Sequence, residues 1–280
     1  MVRVLLPLGL AFIMFSLGLG LKTTDFRRVL HTPGAIFAGL VAQMLVLPLT
    51  AAVIALWLDL AGEWAIGLMI LAASPGGVTA GIVTRLARGD TALSISLTVL
   101  TSLLAFVSVP LIVGAALKTF GDGAVAIRLP FGQTAGGLLL VTLLPVMLGL
   151  WSSERGLIPA PWRGWIHRLA TAVFVLIVVY TFVDQWASIT RHFADIGAAA
   201  LLLNLLTMLT GALFGVLLGL AAAARVALSM ECGIQNSALG ITLAVSVLGM
   251  PELAIPSVVY ALLMNITAFS VIGSRQLRSP

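Results

Sequence analysis

A chain of 280 residues that is 60% hydrophobic and 9% charged, with a mean hydropathy of +1.16, lies outside the range of soluble globular domains and reads as a polytopic membrane protein. Its formal charge of +5 does not indicate nucleic acid, because the basic residues are spread through short segments between apolar runs. A single cysteine, Cys232, excludes an intramolecular disulfide.

A hydrocarbon core about 30 Å thick needs roughly 20 apolar residues per helical span. The chain divides into nine such segments, at about 4–21, 35–57, 64–87, 91–117, 129–150, 169–186, 197–222, 226–248 and 254–273. Arg3 gives the first run the look of a signal peptide, but no small-residue cleavage site follows, and Lys22 and the next spans argue for a retained helix. With the N-terminus outside, Lys22, Arg27, Arg28, Arg85, Arg88, Arg155, Arg163, Arg168, Arg225, Arg275 and Arg278 fall in the cytoplasm. Only Arg3, Lys118, Arg128 and Arg191 stay outside. The expected location is therefore the inner (plasma) membrane, with the C-terminus cytoplasmic. Trp57, Trp64, Trp151, Trp162, Trp165 and Trp186 fall near span ends, as an aromatic belt requires. The longest connection expected is Ser152 to Arg168.

Two spans are interrupted at membrane depth, by Ser74-Pro75-Gly76-Gly77 and by Glu231-Cys232-Gly233-Ile234-Gln235-Asn236. Proline and paired glycines free backbone groups that hydrocarbon cannot satisfy, so such breaks persist only where they are buried in protein or line a cavity. Each break is followed by one continuous span. The expected fold is an all-α polytopic domain over 1–280, with inverted repeats at about 1–120 and 125–280 whose two discontinuous helices cross. Such a pair is a sequence pointer to a secondary transporter's binding site.

In the first break, the half-helix after Gly76-Gly77 turns a positive dipole end to mid-membrane, which suits an anionic substrate group at Gly77, Val78 and Thr79. The alternative is a proline kink used for packing. In the second, Glu231 needs a cation, a proton or a buried donor, since an ionisable residue at the bilayer centre costs about 2.5 to 3.5 kcal/mol on insertion scales. Gln235 shares its helix face, and unwinding at Gly233 frees the carbonyls of Cys232 and Ile234 as oxygen ligands; this all-oxygen set suits Na⁺. A protonated Glu231 would instead imply proton coupling. Gln43 is an isolated amide that completes the shell or joins helices. Ser94, Thr98, Thr101 and Ser102 form a hydroxyl stripe that alone favours packing. Asn236 and Asn265 are mid-span amides suited to substrate contact, while Met264 lines a pocket with its thioether or, as the favoured reading, fills a gap in the core. Gly211, Gly215 and Gly219 read as close helix packing. His31, His167 and His192 are placed in loops of both sides, too far apart for a shared metal site. Motifs of hydrolases and nucleotide-driven pumps are absent, so no enzyme is expected.

At these residues the chain resembles the bile acid:sodium symporter family. The likeness is carried by Ile13-Met14-Phe15-Ser16-Leu17-Gly18-Leu19 with Lys22 and Asp25-Phe26, by Ser74-Pro75-Gly76-Gly77, by Leu86-Ala87-Arg88-Gly89-Asp90 through Ser94 to Thr98, by Glu231 to Ser237 and by Asn265-Ile266. The chain is similar to members that lack the first of ten spans. The resemblance implies a panel and a core domain, with Na⁺-driven uptake of organic anions as one moves against the other. It implies one sodium site of Gln43, Glu231, Gln235 and the carbonyls of Cys232 and Ile234. A second, degenerate site keeps Ser94, Thr98 and Glu231, but Ala80-Gly81 stands where the family has Ser-Asn, with Thr79 one residue away.

The expectation is a carrier of a small organic anion, bile-acid-like, keto acid or pantoate-like, coupled to Na⁺ through one site and needing no cofactor. Its other partner is membrane lipid, and sequence leaves the oligomeric state open. Rival readings are a proton-coupled or uncoupled anion carrier, an arsenite-type carrier and a non-transporting sensor or scaffold of the same fold.

Overall fold

The computed structural model describes residues 2–24, 32–77, 79–121 and 131–277. Asp25, Phe26, Arg27, Arg28, His31, Val78, Arg128 and Arg278 lie outside the described residues. The described residues form α1 (Val2–Leu19), α2 (Pro33–Trp57), α3 (Gly62–Ala73), α4 (Ala80–Leu86), α5 (Thr91–Phe120), α6 (131–154), α7 (Ala160–Asp184), α8 (Trp186–Leu217), α9 (Ala222–Gly233), α10 (Ser237–Val247) and α11 (Ile255–Leu277). With α3–α4 and α9–α10 each taken as one broken span, these helices follow the nine expected segments. Six of the unbroken helices are long and apolar enough to cross a membrane. Large apolar side chains such as Phe37, Leu49, Leu140, Val183 and Leu209 cover the outside, which only a lipid solvent favours.

Local chemistry explains several details. π-helical turns at Ala42–Val46 in α2 and Leu139–Leu143 in α6 precede Pro48 and Pro145. A proline ring clashes with the carbonyl four residues back and offers no N–H, so the ladder widens there by one residue. Asp90 caps α5 by accepting from Ala92 and Leu93 N–H, both at 3.1 Å. The Arg88-Gly89-Asp90 turn is pinned to α9 by Asp90 N–H donating to Ala223 O at 2.8 Å. A Cβ on Gly89 would meet Thr84 Cγ2 at 2.7 Å and Val226 Cγ1 at 2.9 Å, so that motif residue is fixed by packing.

Two groups of helices are distinguishable by contact. α1 packs on α6 and α7, closely enough that a Cβ at Gly18 would lie 2.1 Å from Val146 O and one at Gly149 2.2 Å from Phe15 O. This is the panel. α2, α3, α5, α8, α9 and α11 pack around the two breaks and form the core.

Some expectations are corrected. α7 begins at Ala160, nine residues before the expected start, because Pro161 is set for a first helical turn and the polar residues Arg163, His167 and Arg168 ride on the same helix. The connection from α6 is accordingly only residues 155–159. α8 begins at Trp186 and kinks at His192 (φ −114°, ψ 16°), where the ring packs on Trp64 at 5.2 Å. Gly211 and Gly215 do meet α9 closely, Leu228 O and Arg225 Cα lying 2.4 and 3.0 Å from their notional Cβ atoms, but Gly219 touches nothing. It ends α8 with φ +63°, a left-handed cap.

Candidate ion and substrate site

The helices α3 and α9 run into the protein from opposite ends and stop where their partners stop. Ser74 and Ile234 leave the helical region with extended backbone, and the two loose strands pair antiparallel at Gly76 and Gln235. Gly77 N–H donates to Ile234 O at 2.7 Å, and Asn236 N–H donates to Pro75 O at 2.9 Å. Each break thus satisfies backbone groups that the other has freed. Gly77 N–H is therefore not free for an anion, and α4, the half-helix that follows, is only seven residues long.

Glu231 lies under this crossing and is completely buried. Its carboxylate accepts from Ser94 Oγ at 2.5 Å and from Thr98 Oγ1, both on α5. A Cβ on Gly76 would sit 2.2 Å from Glu231 Oε1, so only glycine lets the first break pass over the carboxylate. From α2, Gln43 Nε2 donates to Glu231 O at 3.0 Å, and Gln235 Nε2 donates back to Cys232 O at 2.9 Å. Both amide oxygens, Gln43 Oε1 and Gln235 Oε1, are buried without a partner. The structure thus gathers Gln43, Ser94, Thr98, Glu231, Cys232, Ile234 and Gln235 around one turn of α9. Ala80 is buried on α4, and Gly81 faces Ile95.

A polar cluster that sequence reading missed holds the turn in place. Asn204 Nδ2 on α8 and Tyr260 OH on α11 both donate to Gly233 O, at 2.7 and 2.9 Å, and Thr267 Oγ1 donates to Asn204 Oδ1 at 2.6 Å. In an unbroken helix the Gly233 carbonyl would accept from Ser237 N–H, which instead donates to Gln235 O. The side chains replace the lost bond.

Beside the crossing is a cavity of about 350 Å³ between panel and core, within the size range of small-molecule sites. It lies on the face where α1 ends and α5 and α7 begin. Gly77, Thr79, Thr98, Gln235 and Asn236 line its inner end; Ile13, Leu17, Ile82, Ile95, Phe174 and Met264 form apolar walls. Asn236 Oδ1 also caps α10 by accepting from Leu239 N–H at 3.1 Å. Asn265 is not among the lining residues; its amide donates to Ala261 O on its own helix at 2.6 Å. His167, placed in a loop by sequence, lines the cavity from α7 and meets Ser16 Oγ at 2.7 Å; Arg85 lines it from α4. No cluster of three His, Cys, Asp or Glu suited to a transition metal occurs among the described residues.

Crossed broken helices over a buried carboxylate, with a cavity alongside, define a polytopic membrane protein of the secondary-transporter type. Comparison with known proteins specifies the family. Residues 7–192 match the sodium bile acid symporter family, and the chain belongs to that family. It is 29% identical to the probable sodium/metabolite cotransporter BASS1 of Arabidopsis thaliana chloroplasts, over 97% of this chain and 67% of that protein. It is 28% identical to the uncharacterized sodium-dependent transporter YocS of Bacillus subtilis, over 92% and 78% of the two chains. With the hepatic sodium/bile acid cotransporter of Rattus norvegicus it shares 29% identity over 83% and 65%.

Proposed function

We propose that this chain is a secondary active transporter that carries a small organic anion inward across the plasma membrane by symport with Na⁺, through one ion site. The observation that carries the reading is the pair of partnerless amide oxygens, Gln43 Oε1 and Gln235 Oε1, held at the same turn as the Glu231 carboxylate. A buried carboxylate whose named partners are neutral hydroxyls lacks a countercharge, and two buried acceptors without donors lack hydrogen. A hard monovalent cation supplies both needs at once. The carbonyls of Cys232 and Ile234 already accept one hydrogen bond each, and their second lone pairs are available to the ion.

The ion bound at Glu231 also stiffens the crossing, since the carboxylate, the break of α9 and α2 share it. The substrate sits in the adjoining cavity against Thr79, Gln235 and Asn236, with Gly77 beneath. Bile-acid-like, keto acid and pantoate-like anions all belong to the class. The relatives named as sodium-coupled cotransporters support the coupling ion. The excess of basic residues at the cavity's end of the helices, Lys22, Arg85, Arg88, Arg155, Arg163, Arg168 and Arg225, supports a cytoplasmic opening.

The direct test is thermal unfolding of the purified protein in Na⁺ and in K⁺ at equal ionic strength. A ligand at a hundred times its Kd stabilises by about 2.7 kcal/mol. Na⁺-specific stabilisation of the wild type that disappears in Glu231→Gln is expected, and equal behaviour in the two salts contradicts the reading.

A further inference from the structure

The cavity has an uneven distribution of charge that the crossing does not explain. Its inner end is neutral, formed by Thr79, Thr98, Gln235 and Asn236, whereas its outer end holds Arg85 on the core and His167 on the panel. Among the described residues that line it there is no Asp or Glu to compete for the Arg85 guanidinium. The Gly77 N–H, the donor best placed in the first break, is already spent on Ile234 O. An anion entering this cavity therefore meets its strongest donors at the outer end.

His167 is built into that position. Its Nδ1 meets Ser16 Oγ at 2.7 Å, and Ser16 is buried in α1. The contact allows either direction of donation; in the tautomer that suits an anion, Ser16 donates to Nδ1 and the neutral ring carries its proton on Nε2 as a donor. That edge lies by Gly20, whose notional Cβ would be 3.8 Å from Nε2 and which itself lines the cavity. Arg85, in the last turn of α4 and exposed, offers a planar fork suited to a carboxylate or sulfonate. Between these groups and the crossing stand Leu17, Ile82, Ile95 and Phe174.

We propose that Arg85 and His167 are the residues that read the substrate's negative charge, holding a carboxylate or sulfonate at the outer end of the cavity while its apolar body points toward the crossing. The inference rests on the transport reading above and deepens it. Because Arg85 is on α4, which packs on the core helices α5, α9 and α11, and His167 is on the panel, the bound anion bridges the two groups of helices. Neither residue alone completes the site, and relative movement of the groups opens it.

The experiment measures binding of 4-phenylbutyrate and its neutral amide, 4-phenylbutyramide, to purified protein in Na⁺, from the ligand dependence of thermal unfolding. The wild type is expected to prefer the acid, and Arg85→Gln and His167→Gln are each expected to weaken acid binding on the order of tenfold, as loss of a hydrogen bond to a charged group does. Binding of the amide and stabilisation by Na⁺ stay unchanged in both. Arg155→Gln, a charge change at the same end but outside the cavity lining, leaves the preference intact. An acid preference that survives in the Arg85→Gln, His167→Gln double variant overturns the inference, as does a wild type that binds acid and amide equally or binds neither. Loss of Na⁺ stabilisation in the wild type is a separate outcome, which removes the ion-coupled reading and leaves the comparison of acid and amide standing.

Discussion

The break at Ser74-Pro75-Gly76-Gly77 and the break at Glu231-Cys232-Gly233-Ile234-Gln235-Asn236 pair with each other through their backbones, yet one contributes chiefly space and the other chiefly functional groups. Gly76 passes over Glu231 because it has no Cβ, and Gly77 fits against Ile234 and Gln235 for the same reason, its notional Cβ lying 2.9 Å from Ile234 Cγ2. The carboxylate, the two amides and the two carbonyls all belong to the second break, apart from Gln43 on α2. An ion site at the crossing therefore needs both a strand rich in ligands and a strand thin enough to lie across it.

The sharpest way to break this comparison is to remove the charge. Glu231→Gln keeps the volume, and Na⁺-dependent stabilisation and Na⁺-dependent uptake are expected to vanish while expression persists. Next in size is Gly76→Ala, which adds no polar group at all. Its Cβ displaces the carboxylate from Ser94 and Thr98, and overpacking of this kind costs about 1 to 3 kcal/mol; a large loss of Na⁺ affinity in uptake assays is expected. Wild-type Na⁺ affinity in the Gly76→Ala variant would show that the first strand is not a spacer. Replacing Gln43 or Gln235 by Leu removes one proposed neutral ligand and keeps the carboxylate. Each is expected to raise the Na⁺ concentration for half-maximal uptake by about tenfold, a loss of roughly 1.4 kcal/mol, with less effect on maximal rate. The smallest effect is expected from Tyr260→Phe, which removes one of two donors to Gly233 O. A destabilisation of about 1 kcal/mol and a modest rise in the Na⁺ requirement should follow in thermal unfolding and uptake, and Asn204→Leu should exceed it because Asn204 bonds Gly233, Tyr260 and Thr267 together.

The crossing was legible in the sequence because it violates local rules: proline and glycines inside an apolar run, and a glutamate at membrane depth, admit few structural explanations. The span count was legible for the same reason that hydropathy works, since each span must satisfy its own backbone. What escaped was whatever depends on distant partners. His167 looks like a loop residue near the helix start, and only its meeting with Ser16, 151 positions away, turns it to the cavity. Asn204 and Thr267 are single polar residues on apolar helices, indistinguishable in sequence from Thr207 or Thr210, which bond back to their own helices. Asn265 differs again: a mid-span amide invites a substrate role, while here its Nδ2 donates to Ala261 O and the residue is not among those lining the cavity. Gly219 continued a four-residue rhythm with Gly211 and Gly215, but the helix ends just before it.

Ion stoichiometry tests the account most directly. One working site gives a Na⁺ Hill coefficient of about one and makes symport with a monoanion electroneutral, because each cation crosses with one negative charge. A second ion would move net charge, worth about 2.3 kcal/mol per 100 mV. The measurement is uptake of a monoanion into proteoliposomes at fixed Na⁺ under a potassium potential set with valinomycin. The account predicts accumulation driven by the Na⁺ gradient, hyperbolic in Na⁺ and insensitive to the imposed potential. Sigmoidal Na⁺ dependence with accumulation that follows the potential would contradict it, and would mean that Ser94, Thr98 and their neighbours hold a second ion despite Ala80 and Gly81.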